Sequence, residues 1–262
     1  MGGLVADLHV HTVVSDGVLT LDEVPERART AGLEAVALTD HDRLNPGLDG
    51  PAVERGGVTV VHGVELRVEV DAGRLDLLGY GARPTDELVA ELDRLQRDRV
   101  DRARRMVACV EDRLGVALDV SPEPGVGRPH VARAVAESAA PLGYDDAFAE
   151  LIGENGPCYV PRDVPSFERG AALLDAACSV VALAHPYRYD DPDAALATAR
   201  TLDAVERHYP YGRSVDQATA DDVIADAGLL ATGGSDAHDR RLGRAGLDAD
   251  GWAEVAARLP GT

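Results

Sequence analysis

The sequence predicts an α/β fold in which a barrel is interrupted by a helical insertion. Residues 1–82 and 160–262 alternate short apolar runs with amphipathic helical segments, the pattern of a parallel sheet or barrel. Residues 83–159 lose this alternation and contain helical patterns only. We therefore assign residues 1–82 and 160–262 to the barrel, and residues 83–159 to a helical insertion that covers its active site.

The first stretch contains five strand-like segments and two helical ones. Strands are predicted at residues 4–10, 34–39, 58–62, 66–70 and 75–80, and helices at residues 21–30 and 46–55. The last two strands flank Asp71-Ala72-Gly73, which favours a hairpin. After Tyr159, helices at residues 166–177, 192–201, 215–227 and 249–258 alternate with strands at residues 179–184, 204–208 and 229–233.

The insertion begins with a long predicted helix at residues 86–114, where apolar residues recur every three to four positions. Its polar face mixes arginines with aspartates, which is typical of a solvated helix surface. These charged residues are Arg94, Arg97, Arg99, Arg102, Arg104 and Arg105 with Asp93, Asp98 and Asp101. Residues 122–127 read as a linker, and shorter helices are predicted at residues 130–138 and 145–153.

The absence of lysine and the negative net charge exclude several mechanisms. The 262 residues carry a formal net charge of −20, and all 26 basic residues are arginines. Schiff-base chemistry, pyridoxal phosphate anchoring and the P-loop all need a lysine that this sequence lacks. The negative charge also argues against extended contact with a nucleic-acid backbone, which requires a basic stripe.

The sequence points to a cytoplasmic protein with reduced thiols. It has no run of about 18 apolar residues that would cross a membrane, and no basic, apolar leader at its N-terminus. Cys109, Cys158 and Cys178 form neither a CxxC pair nor an even framework, so we expect structural thiols.

Six of the eight histidines lie at or near the end of a predicted strand, where α/β barrels build their active sites. His9 and His11 alternate along one strand, so both imidazoles can reach one ion. Further imidazoles and carboxylates follow other strands: Asp16, His41, Glu65, His185, Asp236 and His238. A core histidine or a capping aspartate would explain any one of them. Their coincidence at five strand ends predicts a multinuclear metal centre.

The same segments carry a family resemblance. They read Asp7-Leu-His-Val-His-Thr12 with Ser15-Asp-Gly17, Ala37-Leu-Thr-Asp-His-Asp42, Gly63-Val-Glu65, Ala184-His-Pro186 and Gly234-Ser-Asp-Ala-His238. Together they resemble the PHP (polymerase and histidinol phosphatase) family of metal-dependent phosphoesterases, in the amidohydrolase superfamily. The resemblance implies a distorted (β/α)7 barrel whose strand ends hold two to three divalent ions, Mn²⁺ first, with Zn²⁺ or Fe²⁺ as alternatives.

The resemblance also implies ligand sets. One site takes His9, His11, Glu65 and Asp236; a second shares Glu65 with His185 and Asp76; a third takes Asp16, His41 and His238. The family usually has a histidine where this chain has Asp76. Aspartate also ligates Mn²⁺, Zn²⁺ and Fe²⁺, so the second site is either retained with a harder ligand or weakened and empty.

The insertion narrows the expected substrate. Gly127-Arg-Pro-His-Val-Ala-Arg133 and Cys158-Tyr-Val-Pro-Arg162 are similar to PHP phosphatases of nucleoside 3′,5′-bisphosphates, whose relatives trim short RNA from the 5′ end. By that likeness Arg128, His130 and Arg162 contact a substrate phosphate, as a guanidinium fork suits phosphate oxygens. A surface salt bridge for Arg128 and a helix N-terminal role for His130 are the alternatives.

These features lead us to expect metal-dependent hydrolysis of a phosphomonoester on a small nucleotide. Leaving-group protonation falls to His185, His238 or a water molecule. A histidinol-phosphate phosphatase, a short-RNA 5′-3′ exonuclease and a non-catalytic metal-binding scaffold remain open. The expected partner is a small phosphorylated substrate, with no extended nucleic acid and no membrane; the oligomeric state is left open.

Overall fold

The computed structural model describes residues 3–71 and 73–261, and the chain forms two compact units. The first unit combines Met1–Val89 with Val164–Thr262, and the second is Ala90–Asp163. Within the described residues, no helix combines the length and the hydropathy that a membrane span requires.

The first unit is a mixed α/β structure built on one eight-stranded sheet. Its strands are β1 (Ala6–Val10), β2 (Ala35–Leu38), β3 (Ala52–Arg55), β4 (Val58–Val70), β5 (Gly73–Tyr80), β6 (Val180–Leu183), β7 (Ala204–His208) and β8 (Leu230–Gly233). They lie in the order β1-β2-β4-β5-β6-β7-β8, with β3 paired to β4. In β2, Ala35 and Ala37 pack into one apolar cluster and Val36 and Leu38 into another. The strand is therefore buried on both faces, as in parallel sheets covered by helices.

The sheet is curled, because its first strand reaches the segment that follows its last. Val10 forms a parallel bridge with Ala237. His11 N donates to Ala237 O at 3.0 Å, and Ala237 N donates to His9 O at 3.2 Å. These bonds place the end of β1 beside the loop that follows β8.

Strand β4 is longer than predicted and joins the segments 58–62 and 66–70. Its first half pairs parallel with β2, from Thr59 to His62, and its second half pairs antiparallel with β5, from Gly63 to Val70. A Cβ on Gly63 would lie 2.7 Å from Gly79 O, so the strand passes this crossing only with glycine. The predicted hairpin is confirmed as β4–β5; Ala72 of its turn lies outside the described residues.

The helix predicted at residues 46–55 is wrong. Residues 52–55 form β3, which pairs antiparallel with β4, and the residues before it form a loop. Two prolines and two glycines, Pro46, Gly47, Gly50 and Pro51, break the segment too often for a helical turn to propagate.

The other helices of the first unit are confirmed, with ends that differ by up to three residues. They are α1 (Val24–Thr30), α5 (Phe167–Ala177), α6 (Pro192–Ala199), α7 (Ala218–Ala227) and α8 (Ala249–Ala256). Between α1 and α5 the chain also forms α2 (Asp86–Leu114), α3 (Arg128–Glu137) and α4 (Tyr144–Ala147). Side-chain caps explain some beginnings: Ser166 Oγ accepts from Arg169 N at 3.3 Å, and Asp191 Oδ1 accepts from Ala194 N at 2.9 Å.

The second unit packs α3, α4 and the π-helical turn Phe148–Ile152 against the later part of α2. The prediction of a solvated charged face on α2 is wrong for two of its arginines. Arg99 and Arg102 are buried, and Arg102 donates from Nε and Nη2 to Val160 O at 3.0 and 2.9 Å. Burial and the nearby Arg99 charge lower the pKa of Arg102 to about 10.

A disulfide joins Cys109 of α2 to Cys158, so the expectation of free structural thiols is wrong for this pair. Only the fold reveals it, because 49 positions separate the two cysteines and no motif links them. Cys178 is a free thiol, and burial raises its pKa to about 12.

Gly234 gives a test of the close approach between β1 and the loop after β8. A Cβ at this position would lie 2.3 Å from His9 Cβ and 2.4 Å from His9 N. We expect Gly234→Ala to lower the free energy of unfolding by about 2–3 kcal/mol, because backbone must move to admit the methyl group. Urea denaturation measures the change. Gly50→Ala is the matched control, because the nearest atom to its added Cβ would lie at 3.5 Å. Equal stability of both variants contradicts the close approach of Gly234 to His9.

Candidate metal centre

Nine imidazole and carboxylate side chains converge at the strand ends of the first unit. They form three clusters, and the potential ligand atoms of each cluster lie within 4.8 Å of one another. The clusters are His11, Asp16, His41 and His238; His9, His11 and Asp236; and Glu65, Asp76 and His185. All nine residues predicted as ligands are included. The grouping differs from the sequence prediction in that His11, and not Glu65, is the residue that belongs to two clusters.

Glu65 connects the clusters. Its Oε1 lies 3.1 Å from His185 Nε2 and 3.6 Å from His9 Nε2, while its Oε2 lies 2.6 Å from His41 Nδ1 and 3.4 Å from His11 Nε2. The side chain is 1% exposed. Four imidazoles from three parts of the chain thus surround one buried carboxylate.

Glu206, which the sequence reasoning missed, fixes the orientation of His9. Its Oε1 lies 2.9 Å from His9 Nδ1, which leaves His9 Nε2 directed at Glu65 and Asp236. Its Oε2 accepts from His185 N at 2.8 Å. A carboxylate behind a ligand imidazole sets its tautomer and raises its basicity. The available signal was a carboxylate inside a predicted apolar strand, two positions before His208.

Two further aspartates, Asp7 and Asp40, hold the loops that carry ligands. Asp7 accepts from Ser235 N at 2.8 Å, from Gly243 N at 2.8 Å and from the Ser235 hydroxyl, and so fixes the loop before Asp236. Asp40 accepts from the backbone and hydroxyl groups of Thr12 and Ser15 at 2.7–3.1 Å, and so fixes the loop before Asp16. Their place in the quoted motifs therefore reflects positioning of the ligand loops.

Backbone strain is concentrated at the same strand ends. Among the described residues, the non-glycine positions with positive φ are Asp42 at 51°, His185 at 29° and Asp236 at 49°. Such conformations are costly for residues with a Cβ and persist where the surrounding structure enforces them, often at functional sites. Two of the three residues are candidate ligands.

Neighbouring charges in the clusters shift the pKa values of one another's side chains. Burial opposes ionisation of Glu65, but the adjacent His41 and His9 charges hold its pKa well below the usual value. Burial likewise opposes protonation of His9, but the carboxylates of Glu206 and Asp236 raise its pKa well above 6.5. Against the same effect of burial, Asp16 raises the pKa of His238 to about 9. His11 behaves oppositely, since burial and the neighbouring His238 charge lower its pKa.

The donor set fits divalent cations. His9 Nε2 is buried and has no hydrogen-bond partner within the described chain, although carboxylate oxygens of Glu65 and Asp236 lie 3.6 and 3.5 Å away. His11 Nδ1 is likewise buried without a hydrogen bond, 4.0 Å from Asp16 Oδ1. These separations exceed a hydrogen bond but suit two ligands of one ion, and imidazole with carboxylate is a donor set for Mn²⁺, Zn²⁺ and Fe²⁺.

Asp76 differs from the other candidate ligands, because an arginine holds both of its carboxylate oxygens. Arg67 donates from Nε to Asp76 Oδ1 and from Nη2 to Asp76 Oδ2, both at 2.7 Å. Burial opposes ionisation of Asp76, but the Arg67 guanidinium lowers its pKa. The sequence motifs point to Asp76 but not to Arg67, which lies directly opposite it across the β4–β5 hairpin.

Arg188 and Tyr209 also border the centre and were not predicted. Both reach Asp236 Oδ2: Arg188 Nη1 donates at 2.9 Å and the Tyr209 hydroxyl at 2.8 Å. The Arg188 side chain is 52% exposed, so an arginine accessible to solvent lies beside Asp236. His62 and His208 belong to none of the three clusters.

The residues predicted to bind phosphate lie in the second unit. Arg128 is the first residue of α3, with its guanidinium 5.8 Å from the ring centres of both Phe148 and Tyr159. His130 is at the third position of the same helix, and its Nδ1 accepts from Gly127 N at 3.1 Å. This bond matches the alternative role of a helix N-terminal residue. Arg162 lies near the end of the unit and is half-buried.

Metal binding should release protons. With a pKa of about 9, His238 is protonated at pH 7 without an ion, and ligation needs its neutral form. The neighbouring carboxylates also raise the pKa of His9, which favours release of a second proton. We expect release of about one to two protons per chain at pH 7 and an affinity that rises with pH until about pH 9. Calorimetric titration of Mn²⁺ in two buffers of different ionisation enthalpy measures this number. His238→Gln should release fewer protons and the control His208→Gln the same number as wild type. Equal heats in both buffers contradict the prediction.

The chain is similar to known phosphatases and phosphodiesterases over most of its length. A family model described as the PHP domain matches residues 7–123. A 3′,5′-nucleoside bisphosphate phosphatase from Chromobacterium violaceum is 31% identical over 258 residues, covering 88% of this chain and 86% of its own length. A phosphoribosyl 1,2-cyclic phosphate 1,2-diphosphodiesterase from Eggerthella lenta is 28% identical, covering 90% and 95% of the two chains.

More distant likenesses agree. A 5′-3′ exoribonuclease from Haemophilus influenzae is 27% identical, covering 70% of this chain and 69% of its own. The solved structure of an amidohydrolase from Chromobacterium violaceum superposes with a TM-score of 0.77 at 26% identity, over 97% and 96% of the two chains. Likeness over most of both chains, together with the ligand clusters at the strand ends, shows that this chain belongs to the PHP family of metal-dependent phosphoesterases.

Proposed function

We propose that this enzyme removes a phosphate from small nucleotides, with a nucleoside 3′,5′-bisphosphate as the first candidate. The observation that carries the proposal is the convergence of nine ligand side chains in three adjacent clusters. Four carboxylates in these clusters would repel a phosphate, whereas two or three divalent ions, Mn²⁺ first, would reverse that charge. The relative from Chromobacterium violaceum supports the choice of substrate.

Bound divalent ions would neutralise phosphoryl oxygens and activate a water molecule for attack. The chain itself orients the ligands through Glu206, Asp7 and Asp40. His185 and His238 are the candidates to protonate the leaving oxygen, and His238 is the more open, with 37% of its side chain exposed against 4%. We further propose that the curled sheet is the distorted (β/α)7 barrel of the family.

Cleavage of short RNA from the 5′ end is the second candidate, which the relative from Haemophilus influenzae favours. The net charge of −20 disfavours long RNA and leaves dinucleotides as substrates. Histidinol phosphate stays a third candidate, and a non-catalytic scaffold is the alternative from another class.

A phosphate-release screen tests the proposal. With Mn²⁺, we expect release from nucleoside 3′,5′-bisphosphates to exceed that from mononucleotides, histidinol phosphate and short RNA, to vanish with a chelator and to return with the ion. Asp236→Asn should lower the rate by about 100-fold or more, whereas Asp226→Asn, an exposed aspartate paired with Arg200, should not. Release from histidinol phosphate alone overturns the nucleotide proposal. No release from any substrate by the metal-loaded protein supports the scaffold.

Arg128 is the first arginine to mutate, because by family likeness its guanidinium contacts a substrate phosphate. We expect Arg128→Gln to raise KM by about 10–100-fold, the loss of one hydrogen bond to a charged group, with little change in thermal stability. Steady-state kinetics and a melting curve measure both. Arg104→Gln, which loses only an exposed pair with Asp101 in the same unit, is the control. An unchanged KM with a lowered melting temperature indicates that Arg128 is structural.

A further inference from the structure

The Arg67–Asp76 pair lies inside one of the three ligand clusters. Strands β4 and β5 pair Arg67 directly with Asp76 and Glu65 with Leu78. Directly opposite residues in an antiparallel pair share a face, and positions two apart on a strand share it as well. Arg67, Glu65 and Asp76 therefore point to the same side of the hairpin, where His185 joins the carboxylates.

The guanidinium engages both oxygens of Asp76. Each oxygen accepts a charge-assisted bond at 2.7 Å in the bidentate geometry that is strongest for arginine and carboxylate. The guanidinium keeps its proton at neutral pH, and Asp76 raises the pKa of Arg67 further, so this positive charge is permanent. An ion bound by Asp76 would lie beside a fixed like charge and would have to share oxygens that the fork already uses.

Asp236 provides a comparison within the same chain. It also contacts an arginine, but only its Oδ2 is engaged, by Arg188 and Tyr209. Its Oδ1 stays directed at His11 Nε2, 3.1 Å away, and at His9 Nε2, 3.5 Å away. Asp236 thus keeps one oxygen for a cation, whereas Asp76 has both oxygens in the fork.

We infer that the Arg67 guanidinium is the permanent cation of the Glu65–Asp76–His185 cluster, so that this chain holds two divalent ions rather than three. The inference rests on the proposed function and deepens it. Arg67 has 30% of its side chain exposed while Asp76 has 3%, so the arginine is the more accessible member of the pair. An anionic substrate group at this position meets an arginine and not a third ion.

Metal counting tests this inference independently of activity. The full chain is dialysed to equilibrium against Mn²⁺, and bound metal per chain is measured by plasma mass spectrometry. We expect two ions in the wild type and three in the double variant Arg67→Ser, Asp76→His, which removes the fork and supplies a neutral ligand. Arg207→Met is the matched control, since it removes a second bidentate arginine, paired with Asp221 away from the clusters, and should leave two ions.

The outcomes separate the inference from the proposed function. Three ions in a wild type that releases phosphate overturn the inference and leave the function standing; no bound ion overturns both. Two ions in both the wild type and a folded double variant show that Arg67 is not what excludes the third. If the double variant does not fold, Arg67→Met alone is counted, and it should gain an ion that the wild type lacks. A count of two in Arg67→Met overturns the role of Arg67.

Discussion

The structure of this protein depends on one buried carboxylate. Glu65 is 1% exposed and lies among imidazoles from β1, from the loop after β2 and from the loop after β6. A buried negative charge is tolerated only with positive or hydrogen-bonding partners, so the strand ends must bring those imidazoles to it. At Gly63, strand β4 changes its hydrogen-bonded partner from β2 to β5. This change of partner places Glu65, two residues later, where those imidazoles can reach it.

The same requirement explains the carboxylates that surround the centre. Asp7, Asp40 and Glu206 are buried, and each accepts hydrogen bonds from loops or from candidate ligands. They hold the loops in which Asp42, His185 and Asp236 adopt positive φ. The acidic residues near the strand ends therefore divide into two groups: some belong to the candidate clusters, and others hold the candidate ligands in position.

Parts of the fold and the site could be predicted because their signals are local. Helix α2 follows from the spacing of its apolar residues, and the clustered histidines from their place after apolar strands. Other features depend on distant partners. Arg102 is buried because Val160 O accepts from its guanidinium, and Cys109 meets Cys158 because α2 packs against the later segment. Segment 52–55 became a strand because β4 offered it an open edge, which propensity alone does not reveal.

The sequence by itself determined the class of chemistry. Without lysine and with imidazoles and carboxylates at successive strand ends, it allowed phosphate chemistry through metal ions and excluded the lysine-dependent routes. The tertiary structure decided how the candidate ligands group and which carboxylates only support them. It also decided that Asp76 is held by Arg67, since the two residues are nine positions apart and meet only through the register of the β4–β5 hairpin. Hydrogen-bond geometry between distant segments determines these relations, and a linear pattern does not contain it.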